Sequence, residues 1–243
     1  MCGRTASNLS RDDLAAMMEV DPDDIEAPEL APSWDIAPSQ KLYAVQLSPA
    51  GQRQLVAMRW GLVPSWAKPP IKGGLINARA ETVMEKPAFR DAVAYGRVLL
   101  PVSGFYEWDR RAPGRPTPYY FRRADSAPMV FAGISQTWVG PDGFSVTTCA
   151  VLTTAANELM APVHDRIPVV LGPGQWAEWL ERKPLGRDRL EDLTSPVPAG
   201  VLEAYPVAAS GPAGGPDLSG PPVDTHALPA SIGTDQLTLG LFG

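Results

Sequence analysis

The sequence predicts an α+β fold in which mainly antiparallel strands form a curled sheet or distorted barrel with peripheral helices. Two observations carry this. Short runs of β-branched and aromatic residues recur between turns rich in Pro, Gly and Asp, while helical periodicity shows in only a few places. No internal repeat or linker divides the strand-rich part, so its strands belong to one body. The domain is expected over residues 1–218, with 219–243 as a flexible Gly/Pro-rich tail.

Taken in order, Ser10 followed by Asp13 predicts a helix start, and LAAMMEV continues it with apolar residues at helical spacing. KLYAVQL (41–47) and RQLVAMRW (53–60) read as two strands joined by the turn SPAGQ. The Pro- and Gly-rich stretch VPSWAKPPIKGGLINAR reads as a loop of fixed local geometry. RVLLP, GFYEW, PYYFRR, PMVFAGI and FSVTTCAVLTT follow as strands. TAANELMAPV predicts a short helix and IPVVL a strand. PGQWAEWLE has Pro at the helix start and an apolar face of Trp176, Trp179 and Leu180. From Ser210 onward, SGPAGGPDLSGPP is too rich in Gly and Pro to hold regular structure.

A chain of 243 residues can bury a sizeable core, and its 44% hydrophobic content is ordinary for a soluble protein. No apolar run approaches the roughly 20 residues of a spanning helix, and no basic-then-apolar leader opens the chain. The expectation is a cytoplasmic protein with no membrane partner. Two cysteines and two histidines without paired ligand spacing argue against a metal site or a disulfide framework, and no cofactor is expected. The net charge of −6 is unevenly spread: −5 over residues 1–57, +7 over 58–123 and −8 over 124–243. A basic middle between acidic flanks suits a local phosphate-binding face, or a scatter of solvated charges.

Four stretches set polar residues among rigid or aromatic neighbours: MCGR, LINARAET, SGFYEW and PVHDRIP. Cys2 follows the initiator directly, and aminopeptidases usually trim Met before small residues. Trimming leaves a thiol and a free α-amine on one residue. Glu107 shares a strand face with Phe105, opposite Tyr106 and Trp108, so partial desolvation would suit a general acid; a surface or ion-paired Glu is the bland alternative. His164 is the one histidine outside the tail, which holds His226, and is the candidate for imidazole acid/base chemistry or a structural residue held by Asp165. Asn77 and Arg79 alternate, so both can face one cleft. Arg4, Arg79 and Arg166 sit beside the candidate positions as phosphate forks. Trp60, Trp66 and Trp108 can stack bases or fill the core. Cys149 reads as a buried small hydrophobe.

The chain resembles the SRAP family, the SOS-response-associated peptidases. The resemblance rests on MCGR, IAPSQ (36–40), WGLVPSW (60–66), NARAET (77–82), PVSGFYEW (101–108), LTTAAN (152–157) and HDRIPVVL (164–171), which occur in family order. It implies a protein that senses abasic sites in single-stranded DNA and shields them by a covalent thiazolidine crosslink through Cys2 after Met1 removal. AP-lyase and adduct-reversal activity are further implied. Cys2, Asn77, Glu107 and His164 are then catalytic, and Arg4, Pro38, Trp66, Arg79, Trp108, Thr153 and Arg166 bind DNA. A monomer, nucleoid-associated in a bacterium, is implied with them. Asp35 stands where relatives often have Asn, and VAASGPAGGPDL lacks the asparagines expected after the last strand. Three other readings compete. An N-terminal-nucleophile glutaminase also begins Met-Cys-Gly, a cysteine peptidase would use a Cys–His pair, and in a passive DNA-binding module Cys2 would be incidental.

Overall fold

A computed structural model describes residues 2–68, 72–109, 116–210 and 215–216. Met1, His226 and the expected tail over 219–243 lie outside the described residues. In chain order the elements are β1 (Thr5–Ser7), α1 (Arg11–Met17), β2 (Ser33–Ile36), β3 (Lys41–Leu47), β4 (Arg53–Trp60), β5 (Asn77–Arg79), α2 (Arg90–Tyr95), β6 (Arg97–Val102), β7 (Gly104–Asp109), β8 (Thr117–Arg123), β9 (Met129–Val139), β10 (Ser145–Ala155), β11 (Arg166–Pro168), α3 (Pro173–Leu180), α4 (Arg187–Leu193), β12 (Leu202–Pro206), β13 (Ala209–Ser210) and β14 (Gly215–Pro216).

Strands β10, β4, β3, β6 and β9 form a closed five-stranded barrel, because β9 pairs back onto β10 from Val139↔Ser145 to Gly133↔Val151. Closure removes exposed edges. Only the β10–β4 ladder of the barrel is parallel. β5 and β11 extend the sheet along β10. A second, antiparallel sheet runs in the order β12-β8-β7-β1-β2. The expected distorted barrel of antiparallel strands with peripheral helices is therefore the observed architecture.

The period of two divides the core. Tyr43, Val45, Leu99, Ala132, Ala150 and Leu152 pack with the helices, including Leu14 of α1 and Trp179 of α3. Leu42, Ala44, Val98, Phe131, Cys149 and Val151 pack with Phe105 and Phe121 of the second sheet. Phe105 stacks on Phe121 at 4.9 Å between centroids and meets Phe131 edge-on at 5.8 Å, which joins the two sheets. Helix α3 docks as its apolar face predicts. Trp176, Trp179 and Leu180 are buried, and the Trp179 indole donates to the Val98 carbonyl at 3.0 Å.

Helix α1 starts where the sequence places it: the Ser10 hydroxyl accepts from the Asp13 amide at 3.1 Å. The helix expected at TAANELMAPV does not form. Thr154 and Ala155 stay in β10, and the rest is a chain of turns. Asn157 captures the Met160 amide with its side chain at 2.9 Å, and Pro162 removes the donor that a second turn needs. Beyond Ser210 a minimal ladder, Ala209–Ser210 with Gly215–Pro216, replaces the expected absence of regular structure. Gly61 and Gly74 close the base of the loop carrying Trp66. Leu62 and Leu75 exchange backbone hydrogen bonds of 2.9 and 2.8 Å there. A Cβ on Gly61 would lie 2.2 Å from the Gly73 carbonyl oxygen, and both Gly61 and Gly74 have positive φ.

Candidate functional site

Strand β1 lies between β2 and β7, with Thr5 opposite Phe105, so residues 2–4 are drawn against the second sheet. The Tyr106 amide donates to the Arg4 carbonyl at 2.9 Å. Cys2 is thereby packed among Phe105, Val151 and Ile167 and is 2% exposed. The Asn77 side-chain amide donates to the Cys2 carbonyl at 2.8 Å, fixing the residue from the side of β5. Its other side-chain atom, Oδ1, is buried with no hydrogen-bond partner.

Phe105 and Glu107 share a face of β7, as alternation predicts, while Tyr106 and Trp108 belong to the opposite cluster. Glu107 is 5% exposed. Burial, and then the nearby Glu107 charge, push the Cys2 thiol up to about 12 from an ordinary 9.0. The thiol is accordingly held protonated at neutral pH.

Pairing of β5 with β10 sets Asn77 opposite Val151 and Arg79 opposite Thr153, so all four share one face. Thr153 is fully buried and its hydroxyl has no hydrogen-bond partner; Arg79 is exposed. Arg166 holds the end of this ladder. One Nη donates to the Thr153 carbonyl at 2.6 Å, and its two Nη atoms lie 2.6 and 2.8 Å from the Glu81 carboxylate oxygens. That bidentate pair holds the Glu81 carboxyl below its ordinary range. Arg4 is also engaged, with Nη1 2.5 Å from Asp35 Oδ1 on β2.

The Arg166 amide donates to His164 Nδ1 at 3.0 Å, and Asp165 Oδ1 lies 2.8 Å from the same nitrogen. One nitrogen cannot accept the first bond and donate the second at once. The backbone bond is fixed by the chain, whereas the Asp165 side chain is 80% exposed and swings easily into water. The backbone bond is thus the fixed contact of the His164 ring, and Asp165 the movable one.

The tryptophans divide. Trp60 is fully buried, donating to the Ile76 carbonyl at 2.9 Å, and is a core residue. Trp66 is 57% exposed, its indole 3.4 Å from the Pro87 carbonyl, and Trp108 is half-buried. Pro38 and Ser39 occupy the centre of a turn closed by the Gln40 amide on the Ala37 carbonyl at 3.1 Å. Ser39 takes φ +76 there, a conformation normally left to Gly or Asn. Among the described residues no three His, Cys, Asp or Glu side chains converge as a metal site.

The structure thus brings Cys2, Asn77 and Glu107 together, ties Thr153 to Arg166, and sets Arg79 beside Thr153. Sequence reasoning missed Glu81 as a site residue, and it noted Asp35 only as a departure from the family pattern. The signal for Glu81 was its place inside NARAET, two residues after Arg79.

The chain is 38% identical over 210 residues to "Abasic site processing protein YoaM" of Bacillus subtilis, covering 86% of this chain and 92% of that one. It is 31% identical over 213 residues to "Abasic site processing protein YedK" of Escherichia coli, with coverage of 86% and 92%. "Abasic site processing protein HMCES" of Xenopus tropicalis is 29% identical over 74% of this chain and 66% of its own. A crystal structure of a Bacteroides thetaiotaomicron protein superposes with a TM-score of 0.75 over 85% of this chain and 92% of that one, at 23% identity, which speaks for the fold. The family model for SOS response associated peptidase (SRAP) matches residues 1–210, and the chain belongs to that family.

Proposed function

We propose that this protein recognises abasic sites in single-stranded DNA and bonds to them through Cys2 once Met1 has been removed. The observation that carries this reading is the enclosure of Cys2 between Asn77 and Glu107, in a family whose named relatives process abasic sites.

The chemistry follows from what each group can do. Hydrolysis of the Met1–Cys2 bond frees an α-amine, whose ordinary pKa of about 7.7–8.0 leaves roughly a tenth to a sixth of it neutral at pH 7, enough to react. The open-chain form of an abasic deoxyribose is an aldehyde. The amine adds to its carbon, and loss of one water gives a Schiff base. The Cys2 sulfur then adds to the same carbon while the thiol proton moves, by way of Glu107, to the nitrogen. The product is a five-membered thiazolidine, and the balance is aldehyde plus aminothiol giving ring plus water. Only a terminal Cys offers nitrogen and sulfur in this arrangement.

Glu107 is the acid/base of these steps. Asn77 holds the Cys2 carbonyl and so aims the residue. His164 serves sugar-ring opening and the lyase or reversal steps. Arg4, Arg79 and Arg166 hold phosphates. Trp66, exposed on its loop, and Trp108 stack bases, at about 1–3 kcal/mol each. Pro38 and Thr153 border the strand's path. Phosphate contacts carry no sequence information, so recognition is of lesion and single strand. The binding unit is a monomer of residues 1–218. A thiolate peptidase or amidase is a weaker reading, because burial and Glu107 both oppose a Cys2 thiolate.

Mass spectrometry of the purified protein, alone and after incubation with an abasic single-stranded oligonucleotide, tests the proposal. The expected result is loss of Met1, then a mass increase equal to the oligonucleotide less one water, stable to boiling. Retention of Met1, or a trimmed protein that gains no mass, would overturn it.

A further inference from the structure

We infer that Asp35 and Glu81 are internal stand-ins for DNA phosphates, holding two of the site's arginines until the strand displaces them. The inference rests on the function proposed above and adds two residues that the proposal does not use.

The geometry is that of anion sites already filled. Arg4, two residues from Cys2, has Nη1 2.5 Å from Asp35 Oδ1. Arg166, two residues from His164, presents its fork to both oxygens of Glu81 at 2.6 and 2.8 Å, the bidentate geometry guanidinium also gives to phosphate. Both carboxylates are well exposed, at 42% and 49% of their side chains, whereas Arg4 is 34% and Arg166 11% exposed. Each acid can therefore swing into water while its arginine stays in place. Arg166 is further pinned by its bond to the Thr153 carbonyl at 2.6 Å, and Thr153 lies beside Arg79 on the same ladder.

The arrangement has two effects. Carboxylates satisfy the guanidinium groups when no DNA is bound, so the arginines neither collapse onto other acids nor leave partly buried charge unpaired. They also set a threshold. A single phosphate or a small anion gains little by replacing a carboxylate tied to the same chain, whereas a strand that presents several phosphates in register replaces both at once. Displacement leaves two free carboxylates near the strand, which oppose binding by simple repulsion. Asp35 and Glu81 thus lower the affinity for DNA while keeping its binding residues in position.

The test uses full-length protein with Asp35→Asn, Glu81→Gln and the double substitution. Affinity for a fluorescein-labelled, lesion-free oligothymidylate is measured by anisotropy at low and moderate salt, with thermal midpoints recorded alongside. Crosslinking of the wild type to an abasic oligonucleotide is measured separately. The expected result is tighter binding, about two- to fivefold for each single variant and near the product of the two for the double, although neither variant is more stable than the wild type. Unchanged or weaker binding by folded variants would overturn the inference and mark both acids as supports for arginine geometry. The proposed function fails in a different way, by a wild type that binds neither oligonucleotide or forms no adduct.

Discussion

The two cysteines are alike in every local property and differ in their neighbours. Both are free, both lie in the cluster between the barrel and the second sheet, and both have thiols pushed up to about 12 from 9.0. Cys149 sits in the middle of β10, with burial alone acting on it and its sulfur 3.8 Å from the Arg59 carbonyl. Cys2 sits at the start of the chain, held by Asn77 and faced by Glu107. A buried thiol is therefore not a sign of function. The carboxylate and the amide beside Cys2, together with the α-amine that the proposed removal of Met1 would expose, are what would make it a reactive position rather than a packing one.

The contrast can be broken experimentally, most strongly at Cys2 itself. Cys2→Ser is expected to keep a transient imine and lose the boiling-stable adduct altogether, read on a denaturing gel. Glu107→Gln keeps the shape and removes the proton acceptor, so the rate of adduct formation should fall about 100-fold, the lower range for general acid–base catalysis. Asn77→Ala deletes one hydrogen bond to the Cys2 carbonyl, and about three- to tenfold slower crosslinking is expected in single-turnover assays. Cys149→Ala should leave the crosslinking rate unchanged and cost about 1–2 kcal/mol of stability in urea titration. A rate loss there would erase the distinction between the two thiols.

The pair also makes a shared prediction with a definite sign. A thiol whose folded pKa is raised binds its proton more tightly in the native state than in the unfolded chain. Its contribution is fully present below about 9 and is lost as pH climbs from there toward about 12. The thermal midpoint should decline over that alkaline range. The decline should be shallower in Cys149→Ala, which retains one such group in place of two.

Much of the barrel was legible because its strands announce themselves locally. KLYAVQL and RQLVAMRW match β3 and β4 residue for residue. Helices α2 and α4 were not legible: at six and seven residues they fall below the length at which periodicity or propensity speaks, and packing of Val93 and Leu190 holds them. TAANELMAPV misled for the opposite reason. Its composition is helical, but Asn157 uses its side chain as a local cap and β10 claims its first residues. At the site, Cys2 and Glu107 could be picked out by their neighbours in sequence. The acids paired to Arg4 and Arg166 could not, since 31 and 85 residues separate the partners and no local pattern connects them.

The backbone clasp at Gly61 and Gly74 turns the segment between them into a handle on the barrel. Its two ends are locked by reciprocal hydrogen bonds where no Cβ fits, and its first half is bolted to the barrel as well: the Val63 amide donates to the Thr148 hydroxyl at 2.9 Å, and the Trp138 indole donates to the Ala67 carbonyl at 2.8 Å. The exposed Trp66 rides on that handle. Trp66 is consequently carried on a fixed mount: its place relative to the barrel is set by the glycine clasp on one side and by the Trp138 bond to Ala67 on the other, so a change at either would move the aromatic.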